Sequence, residues 1–215
     1  MTPEIIRKVD STGVIAVLVV DELKHAVPLA EALLKGGIDT IELTLRTPIA
    51  LDAGKQMKSA FPELTLGYGT VLTVEQVTNV LDSGADFAVA PGCNPSIIRM
   101  AQKKGLSYAP GIMTPTDIEM AVQEGCRVLK FFPAESSGGL KHLKSMAAPY
   151  QHLGLKFIPL GGVNMDNAKA YLESPLISAV GGSWVAKREM IVNEEWDKIT
   201  ANAKEIKSLI NGIES

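Results

Sequence analysis

Short apolar runs alternate with longer amphipathic stretches along the whole chain. Eight runs have strand length and are bounded by Gly, Pro or capping residues: 14–20, 39–44, 64–70, 86–90, 106–109, 127–132, 157–160 and 177–181. Helix-length segments lie between them. In 23–35, Leu23, Val27, Leu29, Ala30, Leu33 and Leu34 recur with a 3.6-residue period. Segments 74–83, 96–104, 116–124 and 165–172 are shorter versions of the same pattern. Thr73 ahead of Val74-Glu75-Gln76, and Asn94 ahead of Pro95, read as helix N-caps. Gly36-Gly37, Gly84, Gly105 and Gly125 read as left-handed helix ends. The phrases Lys35-Gly36-Gly37-Ile38-Asp39, Asp82-Ser83-Gly84-Ala85-Asp86 and Gln123-Glu124-Gly125-Cys126-Arg127 resemble one another, which marks a structural repeat of one βα unit.

Eight βα units in 215 residues predict an α/β protein, a single (β/α)8 TIM barrel spanning residues 1–215. An extra N-terminal helix (about 3–11) and a final amphipathic helix (about 194–210) would flank it. The rival is an open doubly wound sheet, but no Gly-x-Gly-x-x-Gly opens a helix after the first strand. The eightfold count favours closure. Composition changes little: 46% hydrophobic and 21% charged residues are ordinary for a globular protein. A net charge of -3 supplies no basic surplus for nucleic acid. Cys93 and Cys126 make neither a disulfide framework nor a zinc site of usual spacing. No signal-peptide pattern and no membrane-length apolar run is visible, so a cytoplasmic location is expected.

Polar residues interrupt the strand pattern at informative places. Lys130 lies within Val128-Leu129-Lys130-Phe131-Phe132. Burial there penalises an ammonium and favours the neutral, nucleophilic amine, so Lys130 is a candidate Schiff-base lysine. The competing role is a lysine that snorkels to solvent. In the second strand Ile41 and Leu43 share one face, and Thr40, Glu42 and Thr44 the other. If the apolar pair faces the helices, Glu42 points inward, where an unpaired charge is costly. Its alternative role is to partner Arg46 or a buried cation. Arg46 follows the same strand and is placed to fork a carboxylate or phosphate; Thr70 ends the third strand behind two glycines. A solvated arginine and a strand-end threonine are the plainer alternatives. Gly161-Gly162 and Gly181-Gly182-Ser183 follow the last two strands, where barrels commonly bind phosphate through backbone N–H groups.

A buried lysine, an acid, an arginine and a phosphate cradle suit carbon–carbon cleavage of a phosphorylated keto acid. Lys130 would attack the C2 ketone, giving a carbinolamine and then an iminium that accepts electrons from the breaking bond. Glu42 would move protons, and no metal or organic cofactor is required. A sugar-phosphate isomerase would not need Lys130 in an apolar strand. A non-catalytic sugar-phosphate-binding barrel would need neither Lys130 nor Glu42, and a lysine-linked pyridoxal phosphate enzyme would be coloured.

The chain resembles the 2-keto-3-deoxy-6-phosphogluconate aldolase family, the KDPG/KHG aldolases, over essentially its full length. The matching stretches are His25-Ala26-Val27-Pro28, Ile41-Glu42-Leu43-Thr44-Leu45-Arg46-Thr47, Gly69-Thr70-Val71-Leu72, Pro91-Gly92, Pro110-Gly111-Ile112, Lys130-Phe131-Phe132-Pro133-Ala134-Glu135, Gly161-Gly162-Val163 and Gly181-Gly182-Ser183-Trp184. The resemblance implies a Schiff base on Lys130 and proton transfer by Glu42. It implies pyruvate binding by Arg46 and Thr70, packing of Phe132 by the imine, and substrate contact at Pro91. Gly161, Gly162, Gly182 and Ser183 would bind the phosphate end. It also implies a cytoplasmic homotrimer acting on a small phosphorylated keto acid and pyruvate. One departure is Leu160, where the family usually has threonine. A hydroxyl toward the substrate's sugar chain is missing, which bears on the choice between gluconate- and galactonate-derived substrates and on 4-hydroxy-2-oxoglutarate.

Overall fold

A computed structural model describes residues 1–214 of the chain. The elements run α1 (Pro3–Thr12), β1 (Val14–Leu18), α2 (Ala26–Lys35), β2 (Thr40–Thr44), α3 (Ala50–Ala60), β3 (Thr65–Gly69), α4 (Val74–Asp82), β4 (Phe87–Val89) and α5 (Pro95–Lys104). They continue as β5 (Ser107–Ala109), β6 (Gly111–Ile112), α6 (Pro115–Gln123), β7 (Val128–Phe131), α7 (Gly139–Ala147), β8 (Lys156–Pro159), α8 (Met165–Leu172), β9 (Val180–Gly182), α9 (Arg188–Val192) and α10 (Trp196–Glu214). The fold is α/β with parallel, curled sheets. One sheet has the order β5-β4-β3-β2-β1-β9 and the other β6-β7-β8. Residues 107–112 are split at Pro110, which has no N–H to donate; its carbonyl accepts from Lys130 N at 2.8 Å. A lone parallel bridge, Phe157 to Ile177, joins β8 to the segment before β9.

The strands sort their side chains onto two sides. Ile41, Leu43, Leu129 and Phe131 belong to the large cluster shared with the helices. Val17, Phe87, Val89, Ala109, Val128, Ile158, Leu160 and Ala179 form a second cluster on the other side of the strands. Phe87 is fully buried there, worth roughly 1.5–3 kcal/mol of apolar burial. A Cβ on Gly67 would lie 2.1 Å from its ring, so the residue across from Phe87 must be glycine. Ile5, Ile6 and Val9 of α1 pack on this second cluster, and Thr2 N donates to Ser107 Oγ at 2.9 Å. α1 therefore covers the N-terminal ends of the strands and leaves their C-terminal ends for a site.

Local signals explain most helix boundaries. Thr73 and Gln76 form a reciprocal capping box on α4, and Asn94 Oδ1 accepts from Ser96 N at 3.0 Å on α5. The three similar junction phrases each place a glycine with positive φ after a helix: Gly37 at 86°, Gly84 at 88° and Gly125 at 80°. Other expectations shift. The segment 23–35 starts with a 3-10 turn (Leu23–His25), and α2 begins only at Ala26. The run 177–181 becomes a strand only at Val180–Gly182. The final helix starts later and runs longer than expected. Three helices, α3, α7 and α9, lie outside the expected segments. In α3 the buried stripe is Ala50, Ala53, Gly54 and Met57, mostly small residues; Gly54 sits beneath Tyr68, where an added Cβ would lie 1.9 Å from the hydroxyl oxygen. No helix among the described residues is long and apolar enough to cross a membrane.

Candidate active site

β2 and β7 bring Glu42 and Lys130 together from residues 88 apart in sequence. Alternation sends both to the side away from the helices, as Leu43 and Leu129 turn to the other. Lys130 Nζ donates to Glu42 Oε1 at 3.1 Å, with side chains only 7% and 2% exposed. A buried ion pair of this kind is costly to desolvate and is weak evidence of stabilisation, so its presence asks for another purpose. Lys130 Nζ also lies 5.6 Å from the Phe132 ring centroid, within reach of the ring's negative face.

The carboxylate is held in place from below. A Cβ on Gly69 would lie 1.8 Å from Glu42 Oε1, so the acid occupies the space that any other residue's side chain would fill. The next residue, Thr70, has φ of 63°. A β-branched residue in the left-handed region is a genuine outlier, with a cost of about 1–3 kcal/mol. The strain turns Thr70 toward the cavity instead of continuing β3. Arg46 is aligned by its Nε donating to Thr44 Oγ1 at 3.1 Å, while Thr44 Oγ1 donates to the Leu18 carbonyl at 3.0 Å.

These groups line one cavity of about 310 Å³, within the range of small-molecule sites. Its walls include Glu42, Arg46, Thr70, Pro91, Lys130, Phe132, Gly161, Gly182 and Ser183. Every site residue singled out in the sequence is there except Gly162. Gly162 is not among the wall residues; a Cβ there would lie 2.6 Å from Glu135 Cβ, so its side-chain position faces Glu135. Leu160, the departure from the family pattern, lines the cavity and packs over Gly181, where a Cβ would lie 2.6 Å from Leu160 Cγ. Sequence reasoning missed Val17 and Thr44 as wall residues; Gly181, of the second glycine pair, is on the wall as well. Thr44 shares its strand face with Glu42, so it was findable. Val17 is opposite Glu42 in register, and that pairing is invisible in a single sequence. Chemically the cavity offers an amine beside a carboxylate at its base. A guanidinium and glycine-lined turns stand at its mouth. Among the described residues no group of three or more His, Cys, Asp or Glu is arranged to hold a metal ion.

Comparison with known proteins places these features in context. The family model for KDPG and KHG aldolase matches residues 5–202. The chain is 38% identical over 209 residues to the 2-dehydro-3-deoxy-phosphogluconate aldolase of Haemophilus influenzae, covering 97% of this chain and 98% of that protein. It superimposes with a TM-score of 0.89 and 37% identity on the KDPG aldolase of Legionella pneumophila, in which pyruvate was captured at low pH as a covalent carbinolamine intermediate; 95% of this chain and 97% of that one are covered. The 2-keto-3-deoxy-6-phosphogluconate aldolase of Zymomonas mobilis ZM4 with 3-phosphoglycerate matches with a TM-score of 0.84 and 38% identity over 93% of each chain.

Proposed function

The chain belongs to the KDPG and KHG aldolase family, and on that premise we propose its reaction and the part each cavity residue plays. It is a class I, Schiff-base lyase that reversibly cleaves 2-keto-3-deoxy-6-phosphogluconate to pyruvate and glyceraldehyde 3-phosphate. The observation that carries this reading is the buried Lys130–Glu42 pair at 3.1 Å at the base of the cavity. The covalent carbinolamine of the Legionella relative supports the same chemistry.

Lys130 passes a proton to Glu42, and the neutral amine adds to the C2 ketone to form a carbinolamine. Glu42, in contact with Nζ, supplies the proton that lets water leave and the iminium form. Glu42 then takes the C4 hydroxyl proton as the C3–C4 bond breaks into the iminium. The aldehyde departs, the enamine is protonated at C3, and hydrolysis frees pyruvate. Arg46 and Thr70 hold the pyruvate carboxylate, and the strain at Thr70 fixes its hydroxyl before substrate arrives. Phe132 and Pro91 pack on the reacting carbons. Gly161, Gly162, Gly182 and Ser183 bind the phosphate end through backbone N–H groups; that the Zymomonas relative was solved with 3-phosphoglycerate supports a phosphate-bearing ligand. A binding barrel without chemistry would have no use for the buried pair. Turnover of 4-hydroxy-2-oxoglutarate fits the same lysine end.

Leu160 offers no hydroxyl to the substrate's sugar chain, so discrimination between the two C4 epimers is expected to stay within about a hundredfold in kcat/KM. Pyruvate release from 2-keto-3-deoxy-6-phosphogluconate and from its galactonate epimer measures this. Release from neither would sink the aldolase reading; a far larger ratio would sink the role given to Leu160.

The finer architecture belongs to the same proposal. Residues 107–112 count as one strand broken by Pro110, and the Phe157–Ile177 bridge joins the second seam, so the two sheets make one closed (β/α)8 barrel with α1 as an extra N-terminal helix. The described residues, 1–214, form one domain; Ser215, which the expected 1–215 domain includes, lies outside them. Assembly as a homotrimer rests on the family resemblance; Leu72 (51%), Val192 (48%), Met113 (44%) and Val74 (38%) are exposed apolar side chains among the described residues. Sedimentation of the native protein should give three times the 22.9 kDa subunit mass, and a monomer would refute it. A cytoplasmic location accords with Cys93 and Cys126 as free thiols.

A further inference from the structure

Glu135 and Tyr171 lie just behind the glycine turn that follows β8, and no step of the reaction uses them. Glu135 N donates to the Gly161 carbonyl at 2.9 Å, and Ala134 N to that of Leu160 at 2.7 Å. The stem of Glu135 packs on Gly162, where a Cβ would lie 2.6 Å from Glu135 Cβ and 2.8 Å from Cγ. Its carboxylate leads away from the cavity wall: Tyr171 Oη, on α8, donates to Glu135 Oε1 at 2.5 Å. Tyr171 is only 1% exposed, and its hydroxyl also receives a backbone hydrogen bond from Leu140 at the start of α7. Burial, then the Glu135 carboxylate, push this phenol above its ordinary range, so it remains a donor.

We infer that Tyr171 and Glu135 are positioning residues that shape the Gly161–Gly162 turn for an anionic substrate end and keep the Glu135 charge out of it. The inference rests on the reading of that turn as part of the phosphate cradle. A carboxylate one residue's width from an anion site repels the ligand unless it is tied back. The Tyr171 hydroxyl is the tie. Because the Glu135 backbone also holds Gly161, a freed side chain disturbs the turn as well as its field.

Tyr171→Phe keeps the ring and removes the tie, along with the acceptor that the Leu140 N–H uses. In this variant KM for 2-keto-3-deoxy-6-phosphogluconate and Ki for inorganic phosphate are expected to rise about tenfold, the scale of one hydrogen bond to a charged group. kcat should change little. The pyruvate concentration that half-saturates borohydride trapping on Lys130 should not move, because that chemistry lies at the other end of the cavity. Tyr171→Phe/Glu135→Gln, which removes the loose charge, should bring both phosphate-dependent constants back to within about twofold. Wild-type protein inhibited by phosphate, with Ki unaltered in Tyr171→Phe, would overturn the inference alone. So would a parallel shift in pyruvate trapping, or no recovery in the double variant. Failure of phosphate to compete with substrate in the wild type would overturn the cradle reading and this inference with it.

Discussion

Borohydride added to the protein with pyruvate is expected to leave a reduced pyruvyl adduct on Lys130, located by mass spectrometry of peptides. Trapping should fail in Lys130→Ala, and kcat/KM should fall by roughly 10⁴-fold or more, the scale seen when a covalent nucleophile is removed. The structure adds a second consequence. Deleting Lys130 strands Glu42, 2% exposed, without its countercharge. Breaking one side of a buried ion pair costs roughly 3–5 kcal/mol, which for a chain of this size lowers Tm by about 6–20 °C. Lys130→Ala/Glu42→Gln removes the stranded charge and should regain most of that stability while remaining inactive. The two readouts separate chemistry from folding. An adduct on another lysine, or a Lys130→Ala protein that still traps pyruvate, refutes the nucleophile assignment.

That Lys130 and Glu42 meet was legible from local pattern alone. Each sits in a strand whose flanking residues, Leu129 and Phe131 or Ile41 and Leu43, are large and apolar, and period-two alternation then fixes the face. The distance between them was not legible, since it depends on how β2 and β7 are placed by the strands between and beside them. The same limit hid Val17, which enters the cavity by pairing with Glu42. Gly162 shows a further limit. A glycine pair at a strand end looks like two equivalent cradle residues, yet Gly161 borders the cavity while Gly162 makes room for Glu135. Chain direction through a turn with φ of 91° and then 86° decides which glycine borders the cavity, and sequence spacing carries no trace of it. Of the helices missed, α3 and α7 begin or continue through glycine, and their formation is set by what they pack on rather than by propensity.

Glu42→Gln should lower kcat by about 10²–10⁴-fold, the usual cost of removing a general acid–base group. The amide keeps the volume and can still accept from Lys130 Nζ, so the loss falls on proton transfer more than on position. Exchange of the pyruvate methyl protons in D₂O, followed by NMR, isolates the enamine step from carbon–carbon cleavage. Wild-type protein should exchange them, and Glu42→Gln should slow exchange by a similar factor. Gly69→Ala gives an independent approach to the same group. Residue 69 contributes no functional atom, but its Cβ would stand 1.8 Å from Glu42 Oε1, so the carboxylate must leave its position beside Lys130. Proton transfer falls steeply when donor and acceptor leave hydrogen-bond reach, so this alanine should slow exchange by more than tenfold while borohydride trapping, which needs the amine, persists at a reduced rate. If Glu42→Gln exchanges methyl protons at the wild-type rate, another group carries the proton. If Gly69→Ala alone is silent, Glu42 reaches the substrate from more than one position, and the glycine serves packing only.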